Sequence, residues 1–252
     1  MIEFKDVSLF QGKKKILDKI SFTCEKGRIT TIIGKNGAGK TSALKCLTGE
    51  NACEGTILLD GLDIGSFTQT ERAKHIAYLP QFLPDAPFTV YELAALGRRP
   101  YQRRIGKLTQ KDRELIEKAL AFTDMCAFSE RYIGSLSGGE KQRAYLSMVL
   151  AKDSDTLVLD EPAAYMDAAV EKEICDLLCA LSKEYGKTIV QVMHNLTRAV
   201  NHSDKIVILD KGRVIAQTDA ERIKSTDLIE EIFSVKKGVF VSGDEKDQIV
   251  YL

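Results

Sequence analysis

Apolar positions along the chain follow two alternating periods. Arg28-Ile29-Thr30-Thr31-Ile32-Ile33 is a short apolar run that ends at Gly34 and predicts a buried strand, and Thr41-Ser42-Ala43-Leu44-Lys45-Cys46-Leu47 predicts the opening of a helix directly after it. Runs of Val, Ile and Leu at 157–159, 188–193 and 206–209 predict central strands covered by helices on both faces. Val170, Ile174, Leu177, Leu178 and Leu181 share one face of a helix over 170–185. Residues 1 to about 33 and 53–60 read as short strands with turns, as in Ile20-Ser21-Phe22-Thr23-Cys24 before Glu25-Lys26-Gly27.

Between Gln81 and Ser137 the strand pattern stops and helix starts recur. Thr89-x-x-Glu92, Thr109-x-x-Asp112 and Ser137-x-x-Glu140 have the capping-box form or its aspartate variant, which predicts an α-helical subdomain. Past about residue 217, a helix over 227–233 and a hairpin of Val239-Phe240-Val241 against Ile249-Val250-Tyr251 predict a C-terminal appendage. The whole therefore reads as one α/β domain over 1–252: a core at 1–82 and 156–216 with an antiparallel β part, a helical part at 83–155, and the appendage at 217–252.

Composition narrows the function classes. Lys+Arg and Asp+Glu are both 36, so no global field favours nucleic acid. No apolar run approaches the ~20 residues of a membrane-spanning helix and no N-terminal signal is legible, so a soluble, cytosolic chain is expected. The six cysteines form no C-x-x-C pair, and thiols are expected rather than disulfides. Cys175 and Cys179 would share a helix face, which fits a metal or redox pair less well than two small buried hydrophobes.

Chemistry enters with two glycine-rich segments. Gly34-Lys35-Asn36-Gly37-Ala38-Gly39-Lys40-Thr41, with Ser42 following, fits G-x-x-x-x-G-K-[ST]. In that motif backbone N–H groups cradle phosphates, Lys40 reaches the β/γ oxygens and the Thr41 hydroxyl binds Mg²⁺. The context fits, because phosphate would sit at the start of a helix, where the dipole favours anions. Downstream, Leu136-Ser137-Gly138-Gly139-Glu140 exposes another helix start suited to phosphate. Asp160, ending an apolar strand, is positioned to hold the metal through water, and Glu161 beside it to act as general base for an attacking water.

The second segment is the signature motif of ATP-binding cassette (ABC) ATPases, and the chain resembles that family over nearly its whole length. Tyr78-Leu79-Pro80-Gln81 resembles the Q-loop, Leu157-Val158-Leu159-Asp160-Glu161-Pro162 the Walker B strand and its glutamate, Met166-Asp167 the end of the D-loop, and His194 the switch histidine. The resemblance implies the P-loop ABC-ATPase fold: a mainly parallel sheet, an antiparallel β subdomain and an inserted helical subdomain. It implies that Gln81 touches metal or water and His194 the γ-phosphate. It also implies that Ser137, Gly138 and Gly139 act in trans on the ATP of a second subunit in a head-to-tail homodimer. The partners implied are an integral-membrane permease on whose cytoplasmic face the chain sits and, indirectly, a substrate-binding protein. Three departures stand out. Phe10 precedes Gln11 at the place where an aromatic ring stacks on adenine, the D-loop carries Tyr165-Met166, and Asn195 follows His194 where aspartate is commoner.

Within the family, the stretch at 88–101 resembles ATPase subunits of ferric-siderophore, haem and cobalamin importers. Arg98, Arg99, Arg103, Arg104 and Lys107 form a local basic cluster, read as a permease dock, a solvated helix end or a contact for lipid head groups. The competing classes are an importer ATPase for another cargo, an ABC ATPase working on DNA or the ribosome, and a small-molecule kinase. The last leaves the signature unexplained.

Overall fold

The computed structural model describes residues 1–102, 107–163, 166–240 and 248–251. Strands β1 (Ile2–Gln11), β2 (Lys14–Cys24) and β3 (Ile29–Gly34) lead to helix α1 (Lys40–Thr48) and strands β4 (Glu54–Leu59) and β5 (Leu62–Asp63). Next come α2 (Gln69–His75), β6 (Ile76–Leu79), α3 (Val90–Leu96), α4 (Gln110–Phe122), α5 (Gly138–Ala151), β7 (Thr156–Asp160) and α6 (Ala168–Lys183). The chain ends with β8 (Thr188–Val192), α7 (Leu196–Asn201), β9 (Lys205–Asp210), β10 (Arg213–Asp219), α8 (Ala220–Lys224), α9 (Leu228–Phe233), β11 (Lys237–Phe240) and β12 (Gln248–Tyr251). These elements fall into two compact units, one of residues 1–66 with 175–252 and one of residues 67–174.

In the first unit, β2, β1, β4 and β5 form an antiparallel sheet. A second layer has β3 between β8 and β9, parallel to both, with β10 antiparallel at the side of β9. Every residue of β3 and β8 is buried, as in strands covered on both faces, and the polar Thr31 and Gln191 among them bond to each other, Gln191 Nε2 donating to Thr31 Oγ1 at 3.0 Å. Ile33, Met193, Val200, Ile206, Ile208 and Ile229 share one core cluster. Cys175 lies in the same cluster, Cys179 one turn on is half-buried, and none of the six cysteines is in a disulfide, so Cys175 packs as a small hydrophobe.

In the second unit, β6 and β7 run parallel, and α3, α4 and α5 pack together, with Val90, Leu93, Ile116, Leu120, Leu146 and Val149 buried on them. Capping boxes start α3 at Thr89, α4 at Thr109 and α5 at Ser137. Thr68-x-x-Glu71 starts α2 in the same way, with the same signal in its sequence.

The basic cluster at 98–107 is not one surface patch. Arg98 is neither a docking residue nor a solvated one: it is only 5% exposed. Its Nε donates to Asp112 Oδ1 at 2.8 Å, its Nη1 donates to the carbonyls of Ala151 and Lys152, and its guanidinium lies 4.1 Å from the Tyr101 ring centroid. A planar guanidinium with this many donors can join α3, α4 and α5 at their ends, which a hydrated ammonium would do poorly. Burial pushes the Asp112 carboxyl up, but hydrogen bonds from Thr109 and Arg98 outweigh it and hold it below its ordinary value. Arg99 and Lys107 are exposed, and Arg103 and Arg104 lie outside the described residues.

Candidate nucleotide site

The phosphate loop is built by close packing. Gly34 ends β3 so near the Leu209 carbonyl that a Cβ would collide with it. Gly39 has φ 99°, a left-handed value that favours glycine, and a Cβ there would lie 2.7 Å from Leu17 Cδ2. Lys40, only 6% exposed, donates from Nζ to the carbonyls of Gly34 at 2.8 Å and Lys35 at 3.2 Å, so the loop curls around its own lysine. Lys35, Asn36 and Gly37 face solvent while Ala38 is buried, and its carbonyl accepts from the Gly212 N–H at 3.1 Å. Thr41 and Ser42 are half-buried in the first turn of α1, which carries no acidic residue. The start of a helix favours an anion through its N–H groups and dipole.

His194 belongs to the same unit and the same edge. Strands β3 and β8 are parallel with Ile32 opposite Val192, so Gly34, the last residue of β3, and His194, two past the end of β8, both lie at their carboxyl ends, the usual ligand side of such sheets. His194 is exposed, and Asn195 caps α7 through its Oδ1, which accepts the Arg198 N–H at 3.1 Å. The neutral amide keeps the capping role that an aspartate would have. Phe10 is 44% exposed and pairs across the β1–β2 hairpin with Lys15, whose Nζ lies 5.4 Å from the ring centroid. The Ile16 carbonyl and Leu17 pack on Gly39, so the ring stands at the phosphate-loop end of the hairpin.

The remaining candidates lie in the second unit. Strands β6 and β7 are parallel with Leu79 opposite Leu159, so Gln81 and the Asp160-Glu161 pair follow neighbouring strand ends. Asp160 is 1% exposed and Glu161 9%. Glu161 holds φ 53°, an unfavourable left-handed conformation for a non-glycine residue, of the kind that clusters at functional sites. Gln142 of α5, itself buried, donates from Nε2 to the Pro162 carbonyl and so ties the signature helix to the turn that carries Glu161. The sequence reading misses Gln142, although Gln142, Tyr145, Leu146 and Val149 fall on the buried period of α5.

The signature lines a cavity of about 470 Å³ together with Gln81, Asp167 and Val170. Two helices begin there. Ser137 caps α5, its Oγ accepting the Glu140 N–H at 3.4 Å while Glu140 Oε2 accepts the Ser137 N–H at 2.7 Å. The Ser137 hydroxyl and backbone N–H hold the Glu140 carboxyl below its ordinary value. Asp167 Oδ1 accepts the N–H groups of Ala169 and Val170 at 3.0 and 2.9 Å and so caps α6. A Cβ on Gly139 would press on Val170 Cγ1 at 3.3 Å, whereas Gly138 has open space, which leaves the start of α5 accessible to a ligand. Tyr165 of the D-loop lies outside the described residues. Gln81, Ser137, Gly138, Gly139 and Asp167 are thus brought together in one unit, and Gly34 to Ser42, His194 and Phe10 belong to the other.

The chain is similar to known proteins over most of its length. Residues 17–164 match the family described as ABC transporter. The chain is 39% identical over 227 residues to the iron(3+)-hydroxamate import ATP-binding protein FhuC of Bacillus subtilis, covering 89% of this chain and 84% of that one. It is 35% identical over 255 residues to the hemin import ATP-binding protein HmuV of Mesorhizobium japonicum, covering 97% and 96%. The ferric enterobactin transport ATP-binding protein FepC of Escherichia coli is 31% identical over 234 residues, covering 92% and 86%. Among solved structures, a nucleotide-free ATP-binding cassette from an ABC transporter superposes with a TM-score of 0.82 at 24% identity, over 92% of this chain and 98% of that one. A dimeric cassette in a post-hydrolysis state, bound to ADP and Pi, gives 0.76 at 24% identity over 87% and 99%.

Proposed function

This chain belongs to the ABC transporter family, and from that premise we propose that it is the ATP-hydrolysing subunit of an importer for an iron chelate, a ferric siderophore or haem. The hydrolysis reading rests on the curled loop around Lys40 and the exposed His194 at one sheet edge. The cargo reading rests on relatives at 31–39% identity whose names are those of siderophore and hemin importers.

Each candidate then has a task. Lys40 and the N–H groups of residues 34–42 take the β- and γ-phosphates. The loop carbonyls that now accept from Lys40 hold its ammonium close to where those oxygens arrive. Thr41, Asp160 and Gln81 offer hydroxyl, carboxylate and amide oxygens, the hard donor set that suits Mg²⁺. When bound, that ion neutralises charge on the β- and γ-phosphate oxygens. Glu161 takes the proton of the attacking water, His194 donates to the γ-phosphate, and Phe10 stacks on adenine. The signature cavity, where α5 and α6 begin, receives the γ-phosphate side of ATP bound to a second copy, so the working unit is a head-to-tail dimer.

An import ATP-binding subunit like these relatives would work docked on a permease at the cytoplasmic face of the cell membrane; among the described residues no helix is long and apolar enough to cross a membrane. Deleting the chain from its native cell should lower uptake of a labelled ferric siderophore or haem, and affinity-tagged protein should bring down a polytopic permease. Charge reversal at exposed Arg99 tests the dock without disturbing the buried Arg98. Ribosomes or DNA in place of a permease would defeat the transport reading, and unchanged uptake with a permease still bound would overturn the cargo alone.

A further inference from the structure

Helix α7 starts two residues after His194 and is six residues long, too short to keep its place through its own hydrogen bonds. What it packs on therefore sets its position, and one of its faces is bonded to the last strand of the fold. Thr197 and Asn201, four apart, share that face. Asn201 Nδ2 donates to the Ile249 carbonyl at 2.7 Å and to the Thr197 carbonyl at 2.9 Å. The Ile249 N–H donates to Asn201 Oδ1 at 3.3 Å, and the Tyr251 N–H donates to Thr197 Oγ1 at 3.0 Å.

One amide thus takes both backbone groups of Ile249, as an adjoining strand would, and Thr197 takes the next N–H on the same side of β12. On its other side β12 pairs with β11, with Ile249 opposite Val239. Ile249 is 8% exposed, and Tyr251 packs on the cluster that includes Met193, the residue before His194, and Val200 of α7. Side-chain bonds that copy a strand edge are directional, which apolar packing alone is not.

We propose that β12 is a latch for α7, and that Thr197 and Asn201 are positioning residues that hold this helix, and through it His194, in place beside the phosphate loop. The proposal rests on the reading of His194 as a γ-phosphate contact. A displacement of order 1 Å at a reacting group can cost up to about a hundredfold in rate, so partial release of α7 should cost on the order of tenfold.

The test measures ATP turnover by the purified full-length chain. Thr197→Val removes one acceptor with little change of shape, and Asn201→Ala removes the amide. Both should lower kcat on the order of tenfold while KM for ATP stays within about twofold, because the loop that binds phosphate is untouched. Thr197→Ser, which keeps Oγ, should restore kcat. Unchanged kcat in folded Thr197→Val would overturn the latch, as would a loss confined to Asn201→Ala, kcat and KM worsening together, or no recovery with Thr197→Ser. His194→Ala separates the two readings. Near-normal turnover by that variant defeats the role of His194, whereas a His194→Ala loss with normal Thr197→Val and Asn201→Ala defeats only the latch.

Discussion

The phosphate loop takes all its backbone donors from the contiguous stretch 34–42, while the signature cavity is lined by residues from position 81 to position 170. The loop is closed on itself: Lys40 bonds its carbonyls, Ala38 is tied to Gly212, and Gly34 and Gly39 fit where a side chain would collide. The cavity is open where the loop is tight, with free space above Gly138, and its two helix starts already carry their own caps in Ser137 and Asp167. A loop bonded to its own lysine can seat phosphate within one chain. A capped, open pair of helix starts is a surface with room for a ligand, and on the reading proposed above a second copy of this chain would bring one.

That contrast can be broken most sharply by dividing it between two chains. Lys40→Ala should abolish ATP binding at its own loop, and Ser137→Arg should block the cavity by filling it with a charged side chain. Each homodimer should be inactive, and a mixture should regain turnover in heterodimers, because both lesions then fall in one composite site. Mixtures that stay inactive although both variants fold and dimerise would sink the division of labour. Glu161→Gln in the same assay should lower turnover by about 10² to 10⁴ and leave an ATP-bound dimer, which identifies the composite site as the hydrolytic one.

The frame of the second unit offers the next largest effect. Arg98→Ala strips one partner from a buried ion pair and leaves Asp112 without its guanidinium, a change that typically costs about 3 to 5 kcal/mol. Unfolding midpoints should drop accordingly, and Arg99→Ala should change them little. The sign of the pH dependence follows from Asp112. Its native value lies below its ordinary 3.8, so the pair stabilises fully above that pH and its contribution is lost as pH falls through the lower native value. Urea denaturation of wild type and Arg98→Ala should therefore converge in acid and separate toward neutral pH. Curves that run parallel would deny the pair its role.

Legibility differed between the two regions for a physical reason. Strand β3, the phosphate loop and α1 were readable because their contacts are local, a buried run, a glycine turn and a helix start in sequence order. The capping boxes of α3, α4 and α5 were readable for the same reason. Arg98 was misread because its partners, Asp112 and the carbonyls of Ala151 and Lys152, are brought to it by tertiary packing alone. Gln142 and the bonds from Asn201 to Ile249 were missed likewise, since a buried amide has no signature in a pattern of apolar positions. The left-handed φ of Glu161 leaves no mark in residue type at all.

The smallest effect concerns the edge of the phosphate-loop half. Phe10 pairs with Lys15, next to the Ile16 and Leu17 segment that packs on Gly39, and its ring is 44% exposed although β1 buries its other aromatic, Phe4, to 2%. A single exposed ring is ordinary on a protein surface, so it is the place of Phe10 beside the segment that packs on Gly39 that marks it as a candidate for the base. A purine stacked there would be held by dispersion and by desolvation of both faces, worth ~1 to 3 kcal/mol, so Phe10→Ala should weaken ATP binding by roughly 5- to 150-fold. Gln11→Ala should change affinity little, because its amide has no π face to offer. Binding titrations with ATP and GTP discriminate the outcomes. Loss with Phe10→Ala that is similar for both nucleotides marks sequence-tolerant stacking, and equal small losses for Phe10→Ala and Gln11→Ala would mean that the base is held by other groups and that the hairpin only closes over the loop.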